Sequence, residues 1–118
     1  MRMWAIPTNL LCRNHLLGAH SELHKHRHNF EKKHSMTGRV FPIVFIEPDN
    51  MKKYHDELVV EMLARGYKHN SEYTQPDISY LPTGQQHARA NIEYNLSDLS
   101  NRCAECKERI KDGTRILC

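Results

Sequence analysis

The chain has 118 residues, of which 39% are hydrophobic and 26% are charged, and its formal net charge is +3. This composition is typical of a globular protein, and no apolar run approaches the roughly 20 residues that cross a bilayer. We therefore exclude a transmembrane protein and expect one domain over residues 1–118 with a modest core.

The first residues do not predict a signal peptide, because the apolar stretch "MWAIP" is too short and Pro7 ends it. We therefore expect a cytoplasmic protein under reducing conditions. The four cysteines should then be free thiols or metal ligands rather than disulfides.

A long helix is predicted over residues 7–38, with Thr8 or Asn9 as its cap and Gly38 as its end. Apolar residues that recur every seven positions indicate a buried stripe, formed by Leu16, Leu23 and Phe30. At about 100° per residue, a second stripe is polar and should face solvent or a ligand. This stripe holds His15, Glu22 and His26.

Residues 1–34 are basic, with six lysines and arginines against two acidic residues, whereas the rest of the chain has 11 basic and 12 acidic residues. A basic helix indicates a polyanionic partner, most simply nucleic acid. A solvated charged helix would have the same composition, so composition alone leaves both interpretations open.

The stretch "GRVFPIVFIEP" contains Pro42, which favours an edge strand or an extended connector. A second helix is predicted over residues 49–66, with Asp49 or Asn50 as its cap and Gly66 as its end. We assign its inner face to Leu58, Val59, Met62 and Leu63.

Turn-forming residues predict a loop over residues 67–84, and a third helical stretch follows over residues 85–110. Its inward residues are predicted to be Ile92, Leu96, Leu99 and Cys103. The expected fold class is all-α, a compact bundle of three helices with long irregular connectors.

Two groups near the start are suited to covalent chemistry. An α-amine has a reference pKa near 8, against about 10.4 for lysine, so more of it is a free nucleophile at neutral pH. The initiator methionine is normally removed only before a small residue. Because Arg2 is large, Met1 should remain and its nitrogen should be the α-amine of the chain. Glu22 lies among histidines and basic residues, which suits a carboxylate that stabilises a cation and moves a proton. An idle terminus and a charge-balancing surface glutamate are the alternatives.

The start, "MRMW…RNHLLGAHSELHKHR", resembles the pyrimidine-dimer DNA glycosylases of the phage endonuclease V type, which also cleave abasic sites. The correspondence is ungapped through Glu22. The second helix, "KKYHDELVVEMLARGY", and the following "PDISYLP" resemble the same family in the same order. The resemblance implies an α-helical DNA-repair glycosylase and abasic lyase that needs no cofactor. Its partner would be double-stranded DNA with a lesion or an abasic site, bound by a monomer.

The resemblance also implies site roles. Met1 matches the amine that forms a Schiff base with C1′ of the damaged nucleotide, and Glu22 matches the carboxylate that stabilises the imine. The candidate DNA contacts, from the resemblance and from the basic charge of the helix, are Arg2, Arg13, His15, Ser21, Lys25, His26, Arg27, Lys32 and Lys33.

The chain departs from the family at several points. Ser21 and Lys25 stand where the family has arginines beside its glutamate, with Arg27 as a substitute. A third-helix arginine falls near Tyr94 or Asn95, and "CAECKERIKDGTRILC" replaces an aromatic C-terminal segment. Imine formation could survive these changes. The substrate is left open between a pyrimidine dimer, another damaged pyrimidine and an abasic site.

The cysteines allow a structural zinc site. Cys103 and Cys106 form a CxxC, and Cys12 with His15 forms a CxxH, so two pairs could close a tetrahedron between the first and third helices. Cys118 is a further candidate ligand, and free buried thiols are the alternative.

Two other functions compete with the repair enzyme. One is a histidine-rich, metal-dependent nuclease, although no hairpin is predicted before the helix. Its candidate residues are His24, His26, His28, Asn29 and His34. The other is a catalytically inactive DNA-binding protein on the same scaffold.

Overall fold

The computed structural model describes residues 3–36, 38–40, 43–69 and 72–117, with side chains placed up to residue 112. These residues form five helices: α1 (Arg13–Glu31), α2 (Met51–Ala64), α3 (Thr83–Gln86), α4 (Ile92–Arg102) and α5 (Ala104–Leu117). Short 3-10 turns at Thr8–Leu10 and Pro48–Asn50 precede α1 and α2. No strand occurs among these residues, so the all-α class is confirmed, with five helices rather than three.

The first helix begins later than predicted, because Cys12 is extended and only the turn Thr8–Leu10 precedes it. Leu10, Leu11 and Cys12 are all buried. Three consecutive inward side chains cannot lie on one face of a helix, so the chain bends there instead of continuing one helix.

The first helix also ends earlier than predicted. Lys32 follows its last residue and Lys33 is left-handed at a φ of 56°, whereas Gly38 lies in a later turn. The apolar stripe is confirmed, since Leu16, Leu23 and Phe30 are all buried. This stripe packs against the core, so the other faces of α1 are available for contacts outside it.

The second helix follows its prediction closely. It begins after Asn50, although the Asn50 side chain makes no capping bond and donates to Glu47 instead. Gly66 follows the helix end at a φ of 87°, the left-handed conformation that glycine tolerates best. Of the predicted inner residues, Leu58 and Met62 are buried, whereas Leu63 is 56% exposed and was wrongly assigned to the core.

The segment between α1 and α2 is a connector rather than an edge strand in its described part. The backbone N–H groups of Phe45 and Ile46 both donate to the carbonyl of Arg39, at 2.6 and 3.3 Å. Val40 and Ile46 bury their side chains in the core. This connector places Phe45 beside Met3, the first described residue.

Three short helices replace the single third helix. Asn91 caps α4 by accepting a hydrogen bond from the Tyr94 backbone, and an extended Cys103 separates α4 from α5. Leu99 is buried as predicted, but Ile92 is 36% exposed. The corner at Cys103 turns its sulfur toward the start of α1.

The segment before α1 is tied into the core by side chains from distant helices. The Tyr54 hydroxyl donates to the Ile6 carbonyl at 2.9 Å, and the Asn95 amide donates to the Trp4 carbonyl at 2.7 Å.

In the part of the chain that the structure describes, no helix has the length and apolar character needed to span a membrane.

Candidate active site and metal-ligand clusters

An open cleft of about 460 Å³ lies between α1, the segment before it and α4. A volume of this order suits a small ligand or an everted nucleotide. The cleft is lined by Trp4, Asn14, His15, Gly18, Ala19, Glu22, Phe45 and Arg102. Among these lining residues, Glu22 supplies the carboxylate.

Glu22 places one carboxylate oxygen where solvent does not reach it. Its side chain is 31% exposed, and its Oε2 is buried without a hydrogen-bond partner among the described residues. The nearest imidazole nitrogen, Nε2 of His26, is 3.8 Å away, which is too far for a hydrogen bond. This oxygen is therefore free to accept a proton or to face a developing cation in the cleft.

His26 is fully buried, so the expectation that it faces solvent is wrong. Burial, together with the nearby charge of Arg39, lowers the pKa of His26 to about 4. At neutral pH the ring is therefore neutral and does not act as a counter-ion to Glu22. It lies behind Glu22 in the core and presents no surface to a DNA phosphate in this structure.

Five of the predicted DNA contacts are exposed, namely Arg13, Ser21, Lys25, Lys32 and Lys33. Ser21 and Lys25 lie one turn apart on α1, next to the helix face that carries Gly18 and Glu22 into the cleft. The two following lysines extend this basic surface beyond the end of α1. A polyanion seated on this surface would lie at the rim of the cleft.

Arg13, which is exposed, and Arg27, which is half-buried, also contact other residues of the protein. The guanidinium of Arg13 lies 5.7 Å from the ring centre of Tyr67. Arg27 donates to the Thr74 carbonyl at 2.8 Å and pairs with Glu31 at 2.6 Å. Because Arg27 lies about 140° from Glu22 around the helix, it does not replace an arginine beside that carboxylate.

The predicted nucleophile Met1 and its neighbour Arg2 lie outside the described residues. The first described residue, Met3, is 2% exposed. Its backbone N–H donates to the Phe45 carbonyl at 2.7 Å. Trp4 and Phe45 both line the cleft with Glu22, so the described chain begins at the wall of the cleft.

Arg102 is a cleft residue that the sequence did not reveal. It lines the cleft from the last turn of α4 and donates to Asp98 at 3.2 Å, with 65% of its side chain exposed. The resemblance placed an arginine near Tyr94 or Asn95, but Tyr94 is an exposed aromatic and Asn95 is buried against Trp4. The spacing of Asp98 and Arg102 predicts only a surface ion pair, so no sequence signal pointed to the cleft.

The two predicted cysteine pairs meet in the structure. Ligand atoms of Cys12, His15, Cys103 and Cys106 all lie within 4.8 Å of one another, and we call them the cysteine cluster. The sulfurs of Cys12 and Cys103 are 3.8 Å apart, far beyond the roughly 2.05 Å of a disulfide. Cys118, the other candidate ligand, lies outside the described residues.

Backbone N–H groups point at the sulfurs of this cluster. The N–H of Cys12 donates to Sγ of Cys106 at 3.2 Å, and the N–H of Cys106 donates to Sγ of Cys103 at 3.4 Å. The second of these bonds lowers the pKa of the Cys103 thiol, whereas burial raises the pKa of the Cys106 thiol. His15 turns Nδ1 toward this cluster while its ring borders the cleft, so it is not a free surface contact.

A second set of side chains that could hold a metal ion was not predicted. The rings of His20, His24, His55 and His69 converge on another side of α1, and we call them the histidine cluster. Burial lowers the pKa of His20 to about 4 and also lowers the pKa of His24 and of His55. Of the histidines proposed for a nuclease, only His24 belongs to this cluster, and no strand precedes α1 in the described residues.

Replacing Gly18 with alanine is expected to raise the free energy of unfolding by about 0.5–1 kcal/mol, because glycine costs that much inside a helix. A Cβ at this position would meet no atom within 4 Å, so no clash offsets the gain. Urea denaturation of the two proteins measures the difference. A less stable variant would contradict the open space beside Gly18.

Comparison with protein families gives a match that covers the first part of the chain. The family described as pyrimidine dimer DNA glycosylase matches residues 1–75, which include α1, α2 and the cleft carboxylate Glu22. No curated protein and no solved structure matches the chain significantly. The family match covers more than half of the chain, and this chain belongs to the pyrimidine dimer DNA glycosylase family.

Proposed function

We propose that this DNA glycosylase also cleaves abasic sites, using the α-amine of Met1 as nucleophile and Glu22 as its acid–base partner. The observation that carries the proposal is the unpartnered, buried oxygen of Glu22 in a cleft where the described chain begins. The substrate is double-stranded DNA that contains a pyrimidine dimer, another damaged pyrimidine or an abasic site.

The reach of the chain supports this pairing. Met3 is fixed at the cleft by its bond to Phe45, and two extended residues span about 7 Å. The α-amine of Met1 is therefore within reach of the cleft that Trp4, Glu22 and Phe45 line. Because this nucleophile is a backbone α-amine with a lower reference pKa than lysine, the reaction needs no lysine side chain.

The proposed chemistry balances without a cofactor. The amine attacks C1′, the glycosidic bond breaks, and the base leaves with the bonding electrons and a proton. A proton then moves from the nitrogen of the adduct to O4′, and the C1′–O4′ bond breaks to give a ring-opened iminium whose charge Glu22 stabilises. Removal of a proton from C2′ then breaks the C3′–O bond and releases the 3′ phosphate.

The basic surface of α1 supplies the DNA contacts in this proposal. Extruding a damaged nucleotide costs a few kcal/mol, least at a lesion, and phosphate contacts offset this cost. Lys25, Lys32 and Lys33 are exposed for such contacts, and Arg102 adds a charge at the opposite wall. We expect a monomer to suffice, since one chain carries both groups.

We also infer that the cysteine cluster holds a structural zinc ion. A tetrahedron with Zn–S near 2.3 Å and Zn–N near 2.05 Å has edges of about 3.8 Å between sulfurs and about 3.6 Å between sulfur and nitrogen. The Cys12 and Cys103 sulfurs are 3.8 Å apart, and Nδ1 of His15 lies 3.2 and 3.6 Å from the sulfurs of Cys12 and Cys106. Four protein ligands form the closed set of a structural site.

This zinc ion would position one wall of the cleft. Cys12 and His15 belong to the start of α1, and Cys103 and Cys106 belong to the corner between α4 and α5. His15 and Arg102, which adjoins Cys103, both line the cleft. The ion would therefore fix α4 against α1 without entering the reaction.

Borohydride trapping on abasic duplex DNA tests the function. Borohydride reduces an imine to a stable amine, so we expect a covalent protein–DNA adduct that peptide mapping assigns to the Met1 amine. The control is the same chain extended by one residue that is not removed, which should bind DNA but give no adduct. Cleaved strands should carry the unsaturated 3′ end of β-elimination.

Other outcomes favour the competing functions. An adduct on a lysine would overturn Met1 as the nucleophile. Cleavage to a 3′ hydroxyl, with no adduct and a need for added metal, would indicate the nuclease. Lesion binding without cleavage or adduct would indicate the inactive DNA-binding protein.

A further inference from the structure

The histidine cluster lies apart from the catalytic cleft and joins three segments. His20 and His24 lie one turn apart on α1, His55 is on α2, and His69 follows the end of α2. One ring nitrogen of each lies within 4.8 Å of those of the others. At about 100° per residue, His20 and Glu22 point about 160° apart around α1, so the cluster and the cleft occupy opposite sides of the helix.

The Nε2 atoms of this cluster lack partners. All four are buried, and none has a hydrogen-bond partner among the residues that the structure describes. Buried polar atoms in proteins are nearly always satisfied, so four unsatisfied nitrogens meeting at one place require an explanation. A cation between them would accept all four lone pairs at once.

The surroundings of His55 match those of a metal ligand. Its Nδ1 lies 3.1 Å from Oδ1 of Asp56, so the ring donates its Nδ1 proton to a carboxylate and leaves the Nε2 lone pair free. The Tyr73 ring stacks on the same imidazole with centroids 4.6 Å apart. Both contacts hold the ring with Nε2 directed into the cluster.

We propose that the histidine cluster is a second metal centre, which binds one divalent transition-metal ion and clamps α1 to α2. Four nitrogen ligands do not suit Ca²⁺ or Mg²⁺, which take oxygen. Imidazole suits zinc, copper, nickel and iron, and zinc accepts four protein ligands in a closed tetrahedron. We take zinc as the ion to test, in a structural role, because a tetrahedron of four protein ligands leaves no ligand position for substrate.

The proposal does not rest on the glycosylase mechanism, although it bears on the active site. Glu22 lies between the ligands His20 and His24 in sequence, on the same stretch of α1. A metal ion that fixes these two histidines against His55 would also fix the turn that carries Glu22 toward the cleft.

Native mass spectrometry of the purified chain tests the proposal. We expect two zinc ions per wild-type chain, one in each cluster, and one in the His69→Gln variant. His28→Gln is the matched control, because His28 is exposed on α1 outside the cluster, and it should keep both ions. A thiol-modifying reagent should label the cysteine cluster to the same low extent in all three proteins, because none of the substitutions removes a ligand of that cluster.

Imidazole ¹⁵N spectra of the wild type give an answer even if His69→Gln fails to fold. Removing metal with a chelator and restoring zinc should shift the Nε2 resonances of His20, His24, His55 and His69, and leave His28 unchanged. A wild-type chain in which zinc leaves these four resonances unchanged would overturn the proposal. Equal zinc contents in His69→Gln and wild type would overturn it as well.

Discussion

Glu22→Gln is expected to reduce glycosylase and lyase turnover by about 100-fold or more, with little change in DNA affinity. The amide keeps the shape of the side chain but can neither take a proton nor neutralise an iminium, and positioned acid–base groups contribute about 10²–10⁴-fold. Oε2 of Glu22 has no hydrogen-bond partner in the described structure, so folding should not depend on it. Single-turnover cleavage and DNA-binding assays measure the two effects separately.

Glu31→Gln is the matched control for this substitution. Glu31 is also on α1 but is 44% exposed and pairs with Arg27, outside the cleft. This variant should cleave at nearly the wild-type rate. Equal activity of the two variants, or a loss of DNA binding that parallels the loss of turnover in Glu22→Gln, would show that Glu22 has no catalytic role.

Cys106→Ser is expected to remove one zinc ion per chain and to lower the free energy of unfolding by several kcal/mol. An ion bound only by the folded state contributes about 4 kcal/mol when free zinc exceeds its Kd by 1,000-fold. The Cys106 sulfur is buried and accepts the Cys12 backbone N–H, and the serine hydroxyl can still accept that bond. The loss should therefore come mainly from the metal. Zinc content and thermal melting in the presence of zinc measure it.

Cys118→Ser is the control, because His15 already completes a set of four ligands with Cys12, Cys103 and Cys106. It should keep its zinc and its melting temperature. If Cys106→Ser keeps the wild-type zinc content, the cluster is a group of buried thiols. If Cys118→Ser loses zinc, the fourth ligand was assigned wrongly.

The first helix connects all of these sites. Its buried stripe packs on the core, one flank carries Glu22 into the cleft, and the opposite flank carries His20 and His24 toward α2. Its first residue follows Cys12 of the cysteine cluster. Three different surfaces of one helix thus face the core, the cleft and the histidine cluster.

The local pattern of the chain predicted that α1 and α2 exist and which stripe of α1 is buried, although both ends of α1 and the burial of Leu63 were wrong. The spacing of Leu16, Leu23 and Phe30 determines which side of α1 is buried, and Gly66 ends α2 because it adopts a left-handed conformation there. The family resemblance led to Glu22, and the structure places that carboxylate in a cleft. These features depend on residues close in sequence, so sequence periodicity and motif order reveal them.

The tertiary structure decided the features that join distant segments. Periodicity placed His26 on the same face as Glu22, yet the core covers His26 completely. Arg102 reaches the cleft, and His55 and His69 meet His20 and His24, only because α1, α2 and α4 pack as they do. Sequence spacing gives the direction of a side chain around its own helix. Whether that side chain is buried, lines a cleft or joins a set of ligands depends on which other helices pack against its helix.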